Sequence, residues 1–252
     1  MISLKSAREI EIMRRANVIV AEILQELKKK VAPGVTTLEL DALAEELIYK
    51  KKAHSAFKGY TMASRVFPRT LCTSINEEIV HGIPSDRVLK EGDVVGLDFG
   101  VIYEGFYGDA AITVGVGKVS NEARLLMQVT EAALYKGIEQ LREGNRLGDL
   151  SAEIQETVEN AGYSVVRAFV GHGIGKKLHE EPPVPNYGER DRGIRLREGM
   201  VLAIEPMVNA GGHEVEITED GWTAVTKDRS LAAHFEHSVA ITKNGPYILS
   251  KI

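Results

Sequence analysis

The 252-residue chain holds a single cysteine, Cys72. One cysteine excludes an internal disulfide framework and fits a reducing compartment. Long apolar runs are missing too, and no stretch approaches the roughly 18 apolar residues that a membrane span needs. Glu9 and Glu11 fall where a signal peptide would carry its apolar core. Positive charge is in short supply: the net charge is −5 and the pI near 5.9. General nucleic-acid binding wants a strongly basic footprint, so no specific nucleic-acid partner is expected. There is no linker, low-complexity stretch or shift of composition. What remains is a cytoplasmic protein without a membrane partner, expected as a monomer. Its 44% hydrophobic content is enough to bury the core of one domain, residues 1–252.

Repetition is what the chain does have. Leu89-Lys90-Glu91-Gly92-Asp93-Val94-Val95-Gly96-Leu97-Asp98 reads against Leu196-Arg197-Glu198-Gly199-Met200-Val201-Leu202-Ala203-Ile204-Glu205. Each copy is a turn followed by an apolar strand ending on a carboxylate. His81-Gly82-Ile83 echoes His172-Gly173-Ile174, and Gly34–Ala42 echoes Gly144–Ala152. Each half also has a later acid on an apolar strand, Asp109 and Glu236. The period is far longer than the about 20–50 residues of solenoid repeats. A duplicated half is the better reading, with halves at about 1–117 and 118–252.

Local signals give each half two helices followed by strands. Ser6 and Glu9 make a capping box ahead of a helical run through Ile10, Met13, Ala16, Val20, Leu24 and Leu27, which Pro33-Gly34 stops. Thr36 and Glu39 make a second box. In the other half, Ser120 starts a helix through about Arg142, and Asp149 caps another running to Gly162. Val94–Val101 and Phe106–Val114 read as a hairpin, which would set Asp98 and Asp109 nearly opposite each other. Later strands are expected at Val165–Val170, Met200–Val208, Glu214–Thr218, Trp222–Thr226 and Phe235–Thr242, with Asp220-Gly221 a hairpin turn.

Asp98, Asp109, His172, Glu205 and Glu236 all lie on or beside apolar strands. A buried charge there costs several kcal/mol unless it is compensated. Carboxylates with one imidazole suit a pair of divalent first-row metals, with Mn, Fe, Co, Zn and Ni all compatible. The lack of cysteine ligands argues against a purely structural zinc site. Two such ions would lower the pKa of a shared water and polarise a carbonyl.

These motifs, in this order and over essentially the whole chain, resemble the methionine aminopeptidases, in their short type I form typical of bacteria. The resemblance implies the α+β "pita-bread" fold, with pseudo-symmetric αβ halves around a curved antiparallel sheet. It implies removal of the initiator methionine from nascent polypeptide N-termini through a metal-bridging water or hydroxide, favoured by a small second residue. Asp98 would chelate one metal, His172 and Glu205 the other, and Asp109 and Glu236 would bridge. Glu205 would also be the general acid/base. His81 would hydrogen-bond near the scissile amide, and His179 would stabilise the tetrahedral intermediate. Phe57, Tyr60, Cys72 and Trp222 would cage the methionine side chain, where sulfur–aromatic contacts are favourable. Two departures touch that cage: a longer loop at 61–68, and Leu178 where an aromatic commonly stands. Only 33 residues separate His172 from Glu205, which leaves no room for the type II insertion. A proline-specific hydrolase of the same fold is the main rival, to be separated by a substrate panel. A non-catalytic module would have lost ligands, whereas all five are kept.

Blander readings cover the rest. His54 and His213 read as surface residues. Side-chain alternation on one strand would turn His234 and His237 away from Glu236. Cys72 reads as packing rather than a nucleophile. Lys28–Lys30 and Lys50–Lys52 end helices, where they favour the dipole. The functional alternative for these runs is a transient ribosome contact.

Overall fold

The computed structural model describes residues 2–62 and 64–252. Its helices are α1 (Ala7–Lys30), α2 (Thr37–Lys50), α3 (Asn121–Glu139) and α4 (Leu147–Asn160). Both capping boxes form as the sequence predicts: Ser6 Oγ accepts from the Glu9 amide while the Glu9 carboxylate accepts from Ser6 N–H, and Thr36 and Glu39 do the same. Asp149 is corrected from cap to cap partner. The helix starts at Leu147, its N-cap is Arg146, and the Asp149 carboxylate accepts the Arg146 amide. α3 stops at Glu139, short of Arg142, because Gln140 and Leu141 tighten into bonds back to Gly137 and Ile138.

The helices pack on one curved, antiparallel, nine-stranded sheet. Its main path runs His54–Ser55, Val94–Tyr103, Phe106–Gly115, Glu236–Thr242, Val201–Ile204, Gly171–Gly173, Glu180–Val184. Cys72–Ile75 also pairs with the 94–103 strand, and Gly245–Ile248 with the 236–242 strand. The duplication is visible in the hydrogen bonds. Gly34 and Leu89 are tied by Gly34 N–H to Leu89 O and Leu89 N–H to Val35 O. In the second half, Gly144 donates to Leu196 O and Leu196 to Asn145 O. Gly92 and Gly199 open the paired strands with φ of 92° and 86°, which glycine adopts at little steric cost.

Strand alternation divides the sheet into two faces. Val95, Leu97, Phe99 and Val101 enter a core under α1 and α2, while Leu202, Ile204, Val239 and Ile241 enter one under α3 and α4. The opposite face carries the polar residues. Asp98 pairs with Ala111, and Asp109 with Gly100, so the two aspartates share a face but lie diagonally rather than opposite.

Two expected strands are split. Met200–Val208 becomes Val201–Ile204 in the large sheet and Met207–Asn209 in a three-stranded one. The break falls at Glu205-Pro206, where proline offers no N–H to the ladder. Phe235–Thr242 likewise becomes Glu236–Thr242, with Ala232–His234 in the small sheet. The breaks face each other, since Ile204 pairs with His237 and Met207 with His234. Of Val165–Val170, only Val165 is strand, at the end of Ser164–Val165, and residues 168–170 line the cavity described below. In the 61–68 loop, Thr61–Met62 pairs with Arg65–Val66, while Ala63 lies outside the described residues.

One contact between helix and sheet bears directly on the polar face. A Cβ on Gly108 would come within 2.9 Å of the Ala16 carbonyl carbon and the Asn17 nitrogen, so α1 crosses the 106–115 strand there with no room to spare. Asn17, fully buried, donates to Met13 O at 2.9 Å and accepts the Asp109 amide at 3.2 Å. Asn17→Ala strands that amide and should cost about 1–3 kcal/mol of stability. Denaturant unfolding checks it: an unchanged midpoint would mean that the Asp109 amide has another partner.

Candidate active site

On the polar face, register builds a line across adjacent strands. Cys72 pairs with Asp98, Asp98 with Ala111, and Ala111 with Glu236. The small Ala111 leaves open space between the two acids, and Asp109 enters it from two residues along the strand. Glu205 follows the 201–204 strand, and His172, paired with Ala203, completes the group. The five residues that sequence motifs single out therefore come together from both halves. Ligand atoms of Asp109, His172 and Glu236 all lie within 4.8 Å of one another. His172 Nε2 is 3.5 Å from Glu205 Oε1.

The group is unbalanced as it stands. Asp98 Oδ1, Asp109 Oδ1 and Glu236 Oε1 are buried without a hydrogen-bond partner among the described residues. Burial pushes Asp98 up to about 7 and Glu205 up to about 8. Asp109 and Glu236 are raised well above the carboxylate range by burial and then by neighbouring acids. His172 is lowered to about 3, first by burial and then by His179, so its ring is neutral at physiological pH. Its Nδ1 faces Gly173 O at 2.9 Å, which leaves Nε2 to the group. Carboxylates and a neutral imidazole aimed into one space suit divalent cations, and the orphaned oxygens are the atoms that such ions would satisfy.

Beside the group lies a cavity of about 290 Å³. Phe57, Tyr60, Phe67, Cys72 and Leu178 form its apolar side. Trp222 packs edge-on behind Phe67, with centroids 5.3 Å apart, and so supports the wall rather than lining it. Cys72 is buried with its pKa pushed well up by burial and then by Asp98, which removes it as a thiolate nucleophile. His81 lines the cavity, held at φ 62° and edge-on to Phe169 at 5.5 Å. Burial, with His234 and His179 nearby, lowers it to about 4. His179 stacks edge-on with His172 at 4.3 Å, and its Nδ1 lies 2.8 Å from the Tyr60 hydroxyl.

The sequence reading missed some residues. Phe67, Val80, Phe169 and Met207 line the cavity with no motif to announce them. His234 is a correction: it is buried, with Nε2 3.6 Å from Glu205 Oε2. Alternation failed there because the strand breaks at Phe235, so His234 and Glu236 do not belong to one ladder. His237 does point away, to the Tyr135 hydroxyl and Ser250. His54 and His213 are exposed.

The profile of metallopeptidase family M24 matches residues 11–243. The chain is 53% identical over 252 residues to a methionine aminopeptidase of Clostridium perfringens, covering all of both chains. It is 50% identical to methionine aminopeptidase 1 of Bacillus subtilis over the same full span. Among solved structures, it superposes on a methionine aminopeptidase from Thermotoga maritima with a TM-score of 0.97, at 48% identity and complete coverage of both. A prolidase from Pyrococcus furiosus gives a TM-score of 0.78 at 25% identity, with 99% of this chain on 65% of that one.

The raised acids set the pH behaviour of ion uptake. At pH 7 the metal-free carboxyls still hold protons, which a divalent ion must expel. Apparent affinity should therefore rise with pH through about 7 and about 8, the levels to which Asp98 and Glu205 are raised. Calorimetry in two buffers of unlike ionisation heat reads the proton release, and a buffer-independent heat would contradict it.

Proposed function

The chain belongs to the methionine aminopeptidases of metallopeptidase family M24, and from that premise we propose that it removes initiator methionine from nascent chains, cleaving best before a small second residue. It is a metalloaminopeptidase using divalent cations. The observation that carries the finer reading is the apolar, aromatic-lined cavity ending on the carboxylate and imidazole group. Phe57, Tyr60 and Cys72 suit an unbranched thioether, with Trp222 bracing them through Phe67.

In this reading Asp98 would hold one ion, His172 and Glu205 would hold another, and Asp109 and Glu236 would serve both. Divalent cations held there would supply a lowered pKa for a water and polarisation of the scissile carbonyl. Glu205, whose carboxylate lies 3.5 Å from His172 Nε2, would take and return the proton of the attacking water. A Tyr60 hydroxyl donating to Nδ1 puts the His179 proton on Nε2, ready to hydrogen-bond the carbonyl oxygen as it gains charge. His81, kept neutral, contacts the amide beyond it.

We place the activity in the cytoplasm, where new chains first expose their N-termini, and treat residues 1–252 as one monomeric catalytic unit. A standing basic patch for the ribosome has weaker support. Lys29, Lys50 and Lys51 are paired with Glu26, Glu46 and Glu22, which favours the helix-end reading.

Asp109→Asn or Glu236→Gln should abolish turnover and reduce bound metal by about half or more, because a neutral amide is the poorer ligand. Two full equivalents by elemental analysis in both variants would sink the shared-ligand assignment. Phe57, Tyr60, Met62, Phe67 and Cys72 wall the cavity where the side chain would sit, and on this reading nothing should precede the methionine. Free Met-Ala-Ser should be cleaved and its N-acetylated form refused, with Ala, Gly or Ser tolerated second and Arg or Trp poor. Similar rates for free and acetylated peptides would replace this reading with an endopeptidase. Preference for Xaa-Pro peptides would replace it with a proline-specific enzyme.

A further inference from the structure

Lys5 is a buried lysine, its side chain only 4% exposed, in the segment ahead of α1. Its ammonium donates to Glu180 Oε2 at 2.6 Å and to Ser3 O at 3.1 Å, and its amide to Gly199 O at 2.7 Å. The other Glu180 oxygen accepts the amides of Lys176 and Lys177 at 2.8 and 3.2 Å. One carboxylate thus closes the 175–180 turn on itself and ties it to the N-terminal segment. Space is reserved for the pair: a Cβ on Gly175 would lie 2.6 Å from both Glu180 Oε1 and Lys5 Cε.

A buried ion pair is weak evidence for stability, because desolvation offsets its attraction, but it does fix geometry. The geometry fixed here is next to the chemistry. Glu180 pairs in register with Gly173, the neighbour of His172, and directly follows His179. Outside the turn, His179 is held by the Tyr60 hydroxyl and by its edge contact with His172.

We propose that Lys5 is a positioning residue for His179, acting through Glu180 to hold the turn that aims the imidazole at the reacting carbonyl. This rests on the reading of His179 as a hydrogen-bond donor in the transition state. Misplacing such a donor by about 1 Å can cost on the order of a hundredfold in rate.

A double-mutant cycle on Met-Ala-Ser hydrolysis tests it, with bound metal and urea midpoint measured for every variant. Lys5→Met should lower kcat about tenfold to a hundredfold and leave KM and metal content near wild type. In the His179→Ala background, Lys5→Met should change kcat little, since the group it positions is gone. Equal losses in both backgrounds, or full kcat in Lys5→Met, would overturn the proposal and leave Lys5 a structural strut. A His179→Ala variant with unchanged kcat would overturn the reading of His179 itself, and this proposal with it. If Lys5→Met does not fold, Gly175→Ala enters the same cycle, because it displaces the pair without removing either charge.

Discussion

The structure turns on the crowding of carboxyl groups that have no basic partner. Asp98, Asp109, Glu205 and Glu236 share one face of the sheet, and burial raises all of them. No lysine or arginine forms an ion pair with any of these acids among the described residues. The imidazoles beside them are driven neutral by the same burial. A protein that gathers such acids without a basic partner has arranged for a cation to do the compensating. The neutral state of His172 belongs to the same logic, since only an unprotonated nitrogen can ligate.

Holding acids in that position requires a scaffold stiff enough to resist their repulsion. The sheet supplies it by splitting its faces: Val95, Leu97 and Phe99 anchor one side in the core while Asp98 takes the other. Asn17 reaches from α1 to the amide of Asp109, where the 236–242 strand no longer pairs. The break at Glu205-Pro206, opposite Phe235, lets a pair of neighbouring strands leave the large sheet together. That exit brings His234 and Met207 in beside the acids.

Much of this was legible in the sequence because it is local or repeated. Capping boxes at Ser6 and Thr36 involve residues three apart, so they can be read without knowing the fold. The duplicated Gly-turn and strand told of two halves, and the hydrogen bonds at Gly34 and Gly144 repeat accordingly. Acids on apolar strands marked the site because burial makes them expensive anywhere else. His234 was lost because alternation assumes an unbroken ladder, and the break at Phe235 is set by a partner strand far away in sequence. Phe67 and Phe169 were invisible for a related reason: an aromatic on a cavity wall looks, in sequence, like one in any core.

The pseudo-symmetry also explains why the site is lopsided. Both halves use the same turn to launch a strand toward the midline, and each ends on a carboxylate, Asp98 or Glu205. The first half then continues into a hairpin and brings Asp109 back diagonally on the same sheet. The second half breaks instead, and its neighbour strand carries His172 on a short segment next to Ala203. Duplicated scaffolding thus fixes where the two first acids stand, while the departures from symmetry decide what surrounds each. The side with His172 also gains the turn bearing His179, whose hold on Tyr60 reaches across to the cavity wall built by the first half. The apolar wall comes largely from one half and the imidazole facing it from the other, so neither half contains the site alone.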